Sequence, residues 1–190
     1  MTAVTTRRFT LNEYHRLGEL GFFSADERVE LIRGEIIQMP SKKTSHSVCN
    51  TGLIRKLILL LDDRAIVRGQ EPIILPSDSE PQPDGIIARN CFDDYLSSHP
   101  IPADILLVIE ISDSTLSYDQ KTKLSVYAEA GICDYWIFNL VENYLEFYTE
   151  PYQDQQGKFN YRCKRIFLSN EAVYLPGFAD LSLNLAEVFP

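Results

Sequence analysis

The chain has 190 residues, 45% of them hydrophobic and 24% charged, with 18 Lys+Arg against 27 Asp+Glu for a formal charge of −9. An aromatic share of 11% supplies ample surface to bury, which excludes disorder over most of the length and suits a globular core. The longest apolar runs, Leu57–Leu61 and Ile105–Ile109, are five residues each, far below the ~18–20 that a bilayer requires, so no membrane contact is expected.

In chain order, Thr10 followed three residues later by Glu13 is a capping-box signature, so a first helix starts at Leu11 and ends near Gly18 or Gly21. Val29–Ile32 and Glu35–Met39 flank Arg33-Gly34 and read as a β-hairpin. Ser41–Asp63 reads as a second helix, entered through Thr44 or Ser45, with Leu53, Leu57, Leu60 and Leu61 on a buried face. Residues 66–75 read as a strand, and the following LPSDSEPQP is a loop full of breakers. Asp84–Ala88 is strand-like, with Asp84, Ile86 and Ala88 on one face. Asp104–Ser112 is nearly continuous apolar β, the mark of a strand covered on both sides. A helix is expected over Ser117–Ala130, stopping at Gly131, then a strand at Tyr135–Phe138. Tyr144–Thr149 and Phe159–Leu168 follow as antiparallel strands, and Leu183–Val188 as a short helix. This order predicts an α/β fold: a mixed central β-sheet flanked by helices, with an N-terminal helix and β-hairpin. No linker divides it, so residues 1–190 are read as one domain, ordered from about residue 9.

Charge is uneven: residues 1–75 carry a net +2 and residues 76–190 a net −11. The whole molecule therefore opposes non-specific nucleic-acid binding unless divalent metal or the basic first part offsets it. Cys49, Cys91, Cys133 and Cys163 lie 42, 42 and 30 residues apart with no CxxC or Cys/His cluster, which points to reduced thiols rather than disulfides or zinc. The start MTAVTTRRFT has no apolar stretch of the secretory kind, so a cytoplasmic location is expected.

Glu110 is the most informative residue. A carboxylate near the end of the run ILLVIEI is largely desolvated, so it must be protonated, paired or bound to metal. Asp84 opens a neighbouring β segment directly after Pro83. Two carboxylates on adjacent strands offer oxygen ligands to Mg²⁺, which takes one or two and keeps several waters.

Pro83-Asp84 with Glu110 26 residues on resembles the PD-(D/E)XK nuclease superfamily. More narrowly, the ordered set Val29–Ile37, His46, Ser79–Asp84, Leu106–Ser112, Tyr118-Asp119, Lys123, Tyr127-Ala128, Gly131-Ile132 and Tyr135-Trp136 resembles the bacterial Uma-type family of restriction-endonuclease-like proteins. The resemblance implies a restriction-endonuclease-like fold and a metal-dependent endonuclease that hydrolyses DNA. Asp84 and Glu110 would hold Mg²⁺ or Mn²⁺. The superfamily pattern has Lys two residues after the acidic residue, where this chain has Ser112; Lys123 on the following helix would take its place. Lys121 is the fallback, about 200° away around an ideal helix. Glu30 matches the family's additional acidic residue, His46 would contact phosphate or move a proton, and Gln82 would hydrogen-bond in the same cleft. Cleaving both strands of a duplex favours a homodimer.

Each residue also has a plainer reading. Asp84 would cap a turn, Glu110 would be half of a buried ion pair, and Lys123 would pair with Asp119 on a helix surface. Glu30 would be an exposed strand residue, and His46 a helix cap or a solvent-facing side chain. Tyr135 and Trp136 are expected in the core rather than as a base-stacking platform. Lys42-Lys43 and Arg55-Lys56 would face phosphate, or simply solvent. The functional counterpart is a catalytically weak or inactive nuclease-like fold acting as a nucleic-acid-binding or assembly module.

Overall fold

In the computed structural model, which describes residues 5–24 and 26–190, helix α1 (Leu11–Glu19) begins with the expected capping box. Thr10 Oγ1 accepts the Glu13 N–H at 3.2 Å, and the Glu13 carboxylate accepts the Thr10 N–H at 3.0 Å. Residues 1–4, part of the stretch read above as lacking a signal, lie outside the described residues. Strands β1 (Val29–Ile32) and β2 (Glu35–Gln38) are joined by Arg33-Gly34, both left-handed at φ 49° and 75°, the conformation that matches the twist of a two-residue hairpin. A Cβ at Gly34 would stand 2.7 Å from Arg8 Cβ and 2.8 Å from the Phe9 carbonyl oxygen, so only glycine fits.

Helix α2 runs Thr44–Leu61 rather than from Ser41, and neither Thr44 nor Ser45 caps it: the N-cap is Lys43, without a side-chain bond. The extended stretch before it lets Lys42 and Lys43 reach carboxylates across the cleft. Strand β3 covers only Ile66–Arg68. The expected continuation to residue 75 is broken at Gly69-Gln70, where Gln70 is left-handed (φ 58°), and the Ile73 and Ile74 N–H groups bond the loop carbonyls of Pro81 and Pro100.

Strands β4 (Gly85–Ala88), β5 (Ile105–Ser112), β6 (Asp134–Asn139), β7 (Tyr144–Gln153) and β8 (Phe159–Leu168) complete a six-stranded sheet in the order β3-β4-β5-β6-β7-β8. All pairs are antiparallel except β5–β6. That parallel pair requires a crossover, and the crossover is not the single helix expected. It consists of α3 (Leu116–Tyr118), a π-helical turn Asp119–Lys123 and α4 (Leu124–Glu129). Two further strands, β9 (Ala172–Leu175) and β10 (Phe178–Asn184), pair separately. They take the first two residues of the expected C-terminal helix, Leu183 and Asn184, and a 3₁₀ turn, Leu185–Glu187, follows, its Ala186 N–H bonded to Asn184 Oδ1.

The sheet is covered on both faces, which is why its strands read as continuous apolar runs. Leu53, Leu57 and Leu61 of α2 and Val173 and Leu183 of β9–β10 pack on Ile109, Ile111, Trp136 and Phe138. Ile32 of β1 and Leu124 and Tyr127 of α4 pack on Ile86, Val108, Tyr135 and Ile137. Tyr135 and Trp136 are thus core residues on opposite faces, as expected. The α/β architecture with a mixed central sheet is the one read from the sequence. Among the described residues no helix is long and apolar enough to cross a membrane, and the four cysteines are free thiols.

Candidate active site

Pairing of β4 with β5 sets Gly85 against Ile109 and Ile86 against Val108, so one step back Asp84 stands across from Glu110. Pro83 and the bond from the Ile111 N–H to Asp84 Oδ2 (3.0 Å) fix that carboxylate at the sheet's end. The same oxygen meets His46 Nε2 at 2.9 Å, while Oδ1 pairs with Lys42 Nζ at 3.2 Å. Burial alone would raise the Asp84 pKa. Its bonds to His46 and Ile111 and the Lys42 charge outweigh that and hold it below the ordinary value.

Glu110 is served from the crossover. Lys123 Nζ lies 2.8 Å from Glu110 Oε1 and the Tyr127 hydroxyl donates to the same oxygen at 2.6 Å, whereas Oε2 takes no hydrogen bond from the described residues. Burial pushes the Glu110 carboxyl up to about 8, against the pull of Lys123. Lys123 is itself 1% exposed. Burial works against its charge, but Glu110, Glu30 and Asp119 prevail and hold its pKa well above the ordinary value. Its second partner is Glu30 Oε1 at 3.1 Å, which also accepts the Gln82 backbone N–H at 3.1 Å. Glu30 Oε2 and His46 Nδ1 are buried with no hydrogen-bond partner among the described residues.

All six expected site residues, Asp84, Glu110, Lys123, Glu30, His46 and Gln82, therefore line one recess of about 40 Å³, room for an ion and about two waters. Three plain alternatives fail. Lys123 does not pair with Asp119 on a surface, Glu30 is buried in the hairpin, and His46 faces Asp84 rather than solvent. Gln82 contributes its backbone N–H to Glu30. Lys121 is exposed and lines a different cavity. The two lysines lie about 200° apart around a helix, so only one can face the recess, and Lys123 ends a π-helical turn, a feature that recurs at functional sites. Glu110 is half of a buried ion pair as well as a recess carboxylate.

Sequence reasoning missed three contributors. Asp119, weighed only as a partner of Lys123, is buried with Oδ2 accepting from Ser112 Oγ and Thr115 Oγ1, both at 2.7 Å. Burial raises its pKa. Tyr127, four residues beyond Lys123, shares its helical face, a spacing that would have flagged it. Lys42, noted only as phosphate-facing, is paired to Asp84.

The donor set bears on metal. Among the described residues Glu30 Oε2 and Glu110 Oε2 take no hydrogen bond, both residues line the recess with Asp84, and no group of three or more His, Cys, Asp or Glu forms a cage. Two carboxylates with room for water fit a hard cation of the Mg²⁺ class rather than a zinc-type site.

The sequence model of the Uma2 family, described as "Putative restriction endonuclease", matches residues 11–186. The chain belongs to the Uma2 family. No curated protein matches it. Among solved structures it is similar to "a putative nuclease belonging to DUF820" from Anabaena variabilis, at 18% identity and a TM-score of 0.71, over 95% of this chain and 97% of that one. At that identity the likeness carries the fold. The Uma2 fold therefore places Asp84, Glu110 and Lys123 in a restriction-endonuclease-like scaffold.

Proposed function

We propose that the chain is a Mg²⁺- or Mn²⁺-dependent endonuclease that hydrolyses phosphodiester bonds in DNA. The observation that carries this reading is the convergence of Asp84 and Glu110 from paired strands on one recess, with the Lys123 ammonium 2.8 Å from Glu110. Asp84 and Glu110 would hold the ion, with Glu30 Oε2 reaching its water shell. The bound ion supplies an acidified water and offsets charge on the phosphate. Lys123, clamped between Glu110 and Glu30, is a fixed positive charge aimed where negative charge develops. Tyr127 orients Glu110, and His46 Nε2 orients Asp84 while its Nδ1 remains free to take or give a proton. Two cuts in a duplex require two such sites, which a cytoplasmic homodimer would provide.

The test is nicking of supercoiled plasmid with Mn²⁺ or Mg²⁺. Cleavage lost in Asp84→Asn at unchanged melting temperature is the expected result. The competing reading, a nuclease-like fold retained as a binding or assembly module, is favoured by one feature: Lys42 and Lys123 already neutralise the carboxylates. It would prevail if protein shown to bind Mn²⁺ leaves DNA and RNA intact.

A further inference from the structure

The two lysines of the recess are held very differently. Lys123 is 1% exposed and locked between two carboxylates on the rigid crossover. The Lys42 side chain is 19% exposed, its ammonium pairs among the described residues only with Asp84 Oδ1, at 3.2 Å, and it hangs from an extended segment outside the helices and strands. Arg28 and Lys43 stand beside it at the mouth of the recess, and Arg28 has no carboxylate partner among the described residues. The recess is thus bipolar: carboxylates on the sheet, cations on the segment leading into α2. Glu30, Asp84, Glu110 and Asp119 line the recess and repel phosphate, so phosphates of a bound strand must lie at the mouth, where these cations are. An ion taking Asp84 Oδ1 must also displace the ammonium now on that oxygen.

We propose that Lys42 is an exchangeable counter-ion: it neutralises Asp84 while the recess is empty, and turns outward to a DNA backbone phosphate when a divalent cation takes its place. This rests on the metal-site reading above. The coupling makes nucleic-acid binding depend on the ion without a change of fold, because the ion releases the charge that binds the strand.

Lys42→Met keeps the length of the side chain and removes the charge. Mn²⁺ affinity, read from the rise in melting midpoint with Mn²⁺, should become about fivefold tighter, the value of a partly exposed ion pair now absent as competitor. Lys121→Met, which removes a charge elsewhere on the π-turn, should leave Mn²⁺ affinity unchanged. With Ca²⁺ as a non-cleaving ion, Lys42→Met should weaken binding of a short labelled duplex and lower the log–log salt slope by about one. Without divalent ion it should bind the duplex as the unaltered protein does. Unaltered protein that binds no Mn²⁺ overturns the site reading and the exchange together. Mn²⁺ binding that Lys42→Met leaves unchanged or weakens overturns the exchange alone, as does an equal loss of DNA affinity with and without the ion.

Discussion

Glu110 on β5 and Glu146 on β7 are both buried and face the crossover, and Ile137 of β6 lies between them, paired with each. At Glu146 both oxygens are filled. Oε1 accepts from Gln120 Nε2 (2.7 Å) and Asn139 Nδ2 (3.4 Å), and Oε2 from the Tyr148 hydroxyl (2.5 Å) and Lys164 Nζ (2.8 Å). Burial pushes its pKa up, but the bonds from Lys164, Tyr148 and Gln120 outweigh this and leave it below the ordinary value. At Glu110, which lines the recess, one oxygen is bonded, the other takes no hydrogen bond from the described residues, and burial wins. A carboxylate that serves only the fold has its acceptor capacity filled; one left half-filled at a recess keeps an oxygen for something not yet bound. One π-turn feeds both, through Gln120 and Lys123.

The cations test this contrast most strongly. Lys123→Met leaves Glu30 buried without its charge partner and Glu110 without one of its two donors, and should destabilise by about 3–5 kcal/mol. Lys164 is 42% exposed, so water can replace it, and Lys164→Met should cost about 1 kcal/mol or less. Urea melts of the two variants check the order. Equal costs would erase the distinction between the networks.

The two glutamates should also respond to pH with opposite sign. Glu110 is raised from an ordinary 4.5 to about 8 in the folded protein, so the native state binds the extra proton between those values. Its contribution to stability therefore falls as pH rises through that window. Glu110→Gln should flatten this slope and gain on the unaltered protein between about pH 5 and about pH 8, by a few kcal/mol at the upper end. Glu146, with its pKa depressed, contributes stability above its ordinary value that is lost as pH falls through the depressed one, so Glu146→Gln should flatten the acid limb instead. Stability curves from urea melts across pH distinguish the two.

Much of this was legible because burial on both faces writes itself into composition. The run Ile105–Ile109 announced a covered strand, Glu110 stood out as the charge within it, and Arg33-Gly34 marked the hairpin that brings Glu30 inward. The hidden part lies where one residue changes the phase. Ser117–Ala130 reads as one amphipathic helix, since a single inserted residue at Asp119–Lys123 leaves the apolar spacing nearly intact. Glu146 was hidden differently: in the alternation of Leu145, Glu146, Phe147 and Tyr148 it reads as the solvent face, and only tertiary cover makes it core. Lys42 was legible as a charge facing phosphate or solvent but not as the partner of Asp84, which is 42 residues away in sequence.

The smallest effect separates the two tyrosines. Tyr127 and Tyr148 each donate one short bond to a buried glutamate, at 2.6 and 2.5 Å. Tyr127→Phe removes one of the two bonds that Glu110 Oε1 accepts from the described residues, in a site where no water can follow because Tyr127 is fully buried. It should cost about 1 kcal/mol and, since a bond to the charged form is lost, move the Glu110 titration to still higher pH. Tyr148→Phe leaves Glu146 with three donors, one of them the partly exposed Lys164. Its cost should be smaller, and the acid limb should barely move. If Tyr148→Phe proved the costlier, Glu146 would be the less securely held carboxylate, and filled acceptor capacity would no longer tell a structural glutamate from one kept for chemistry.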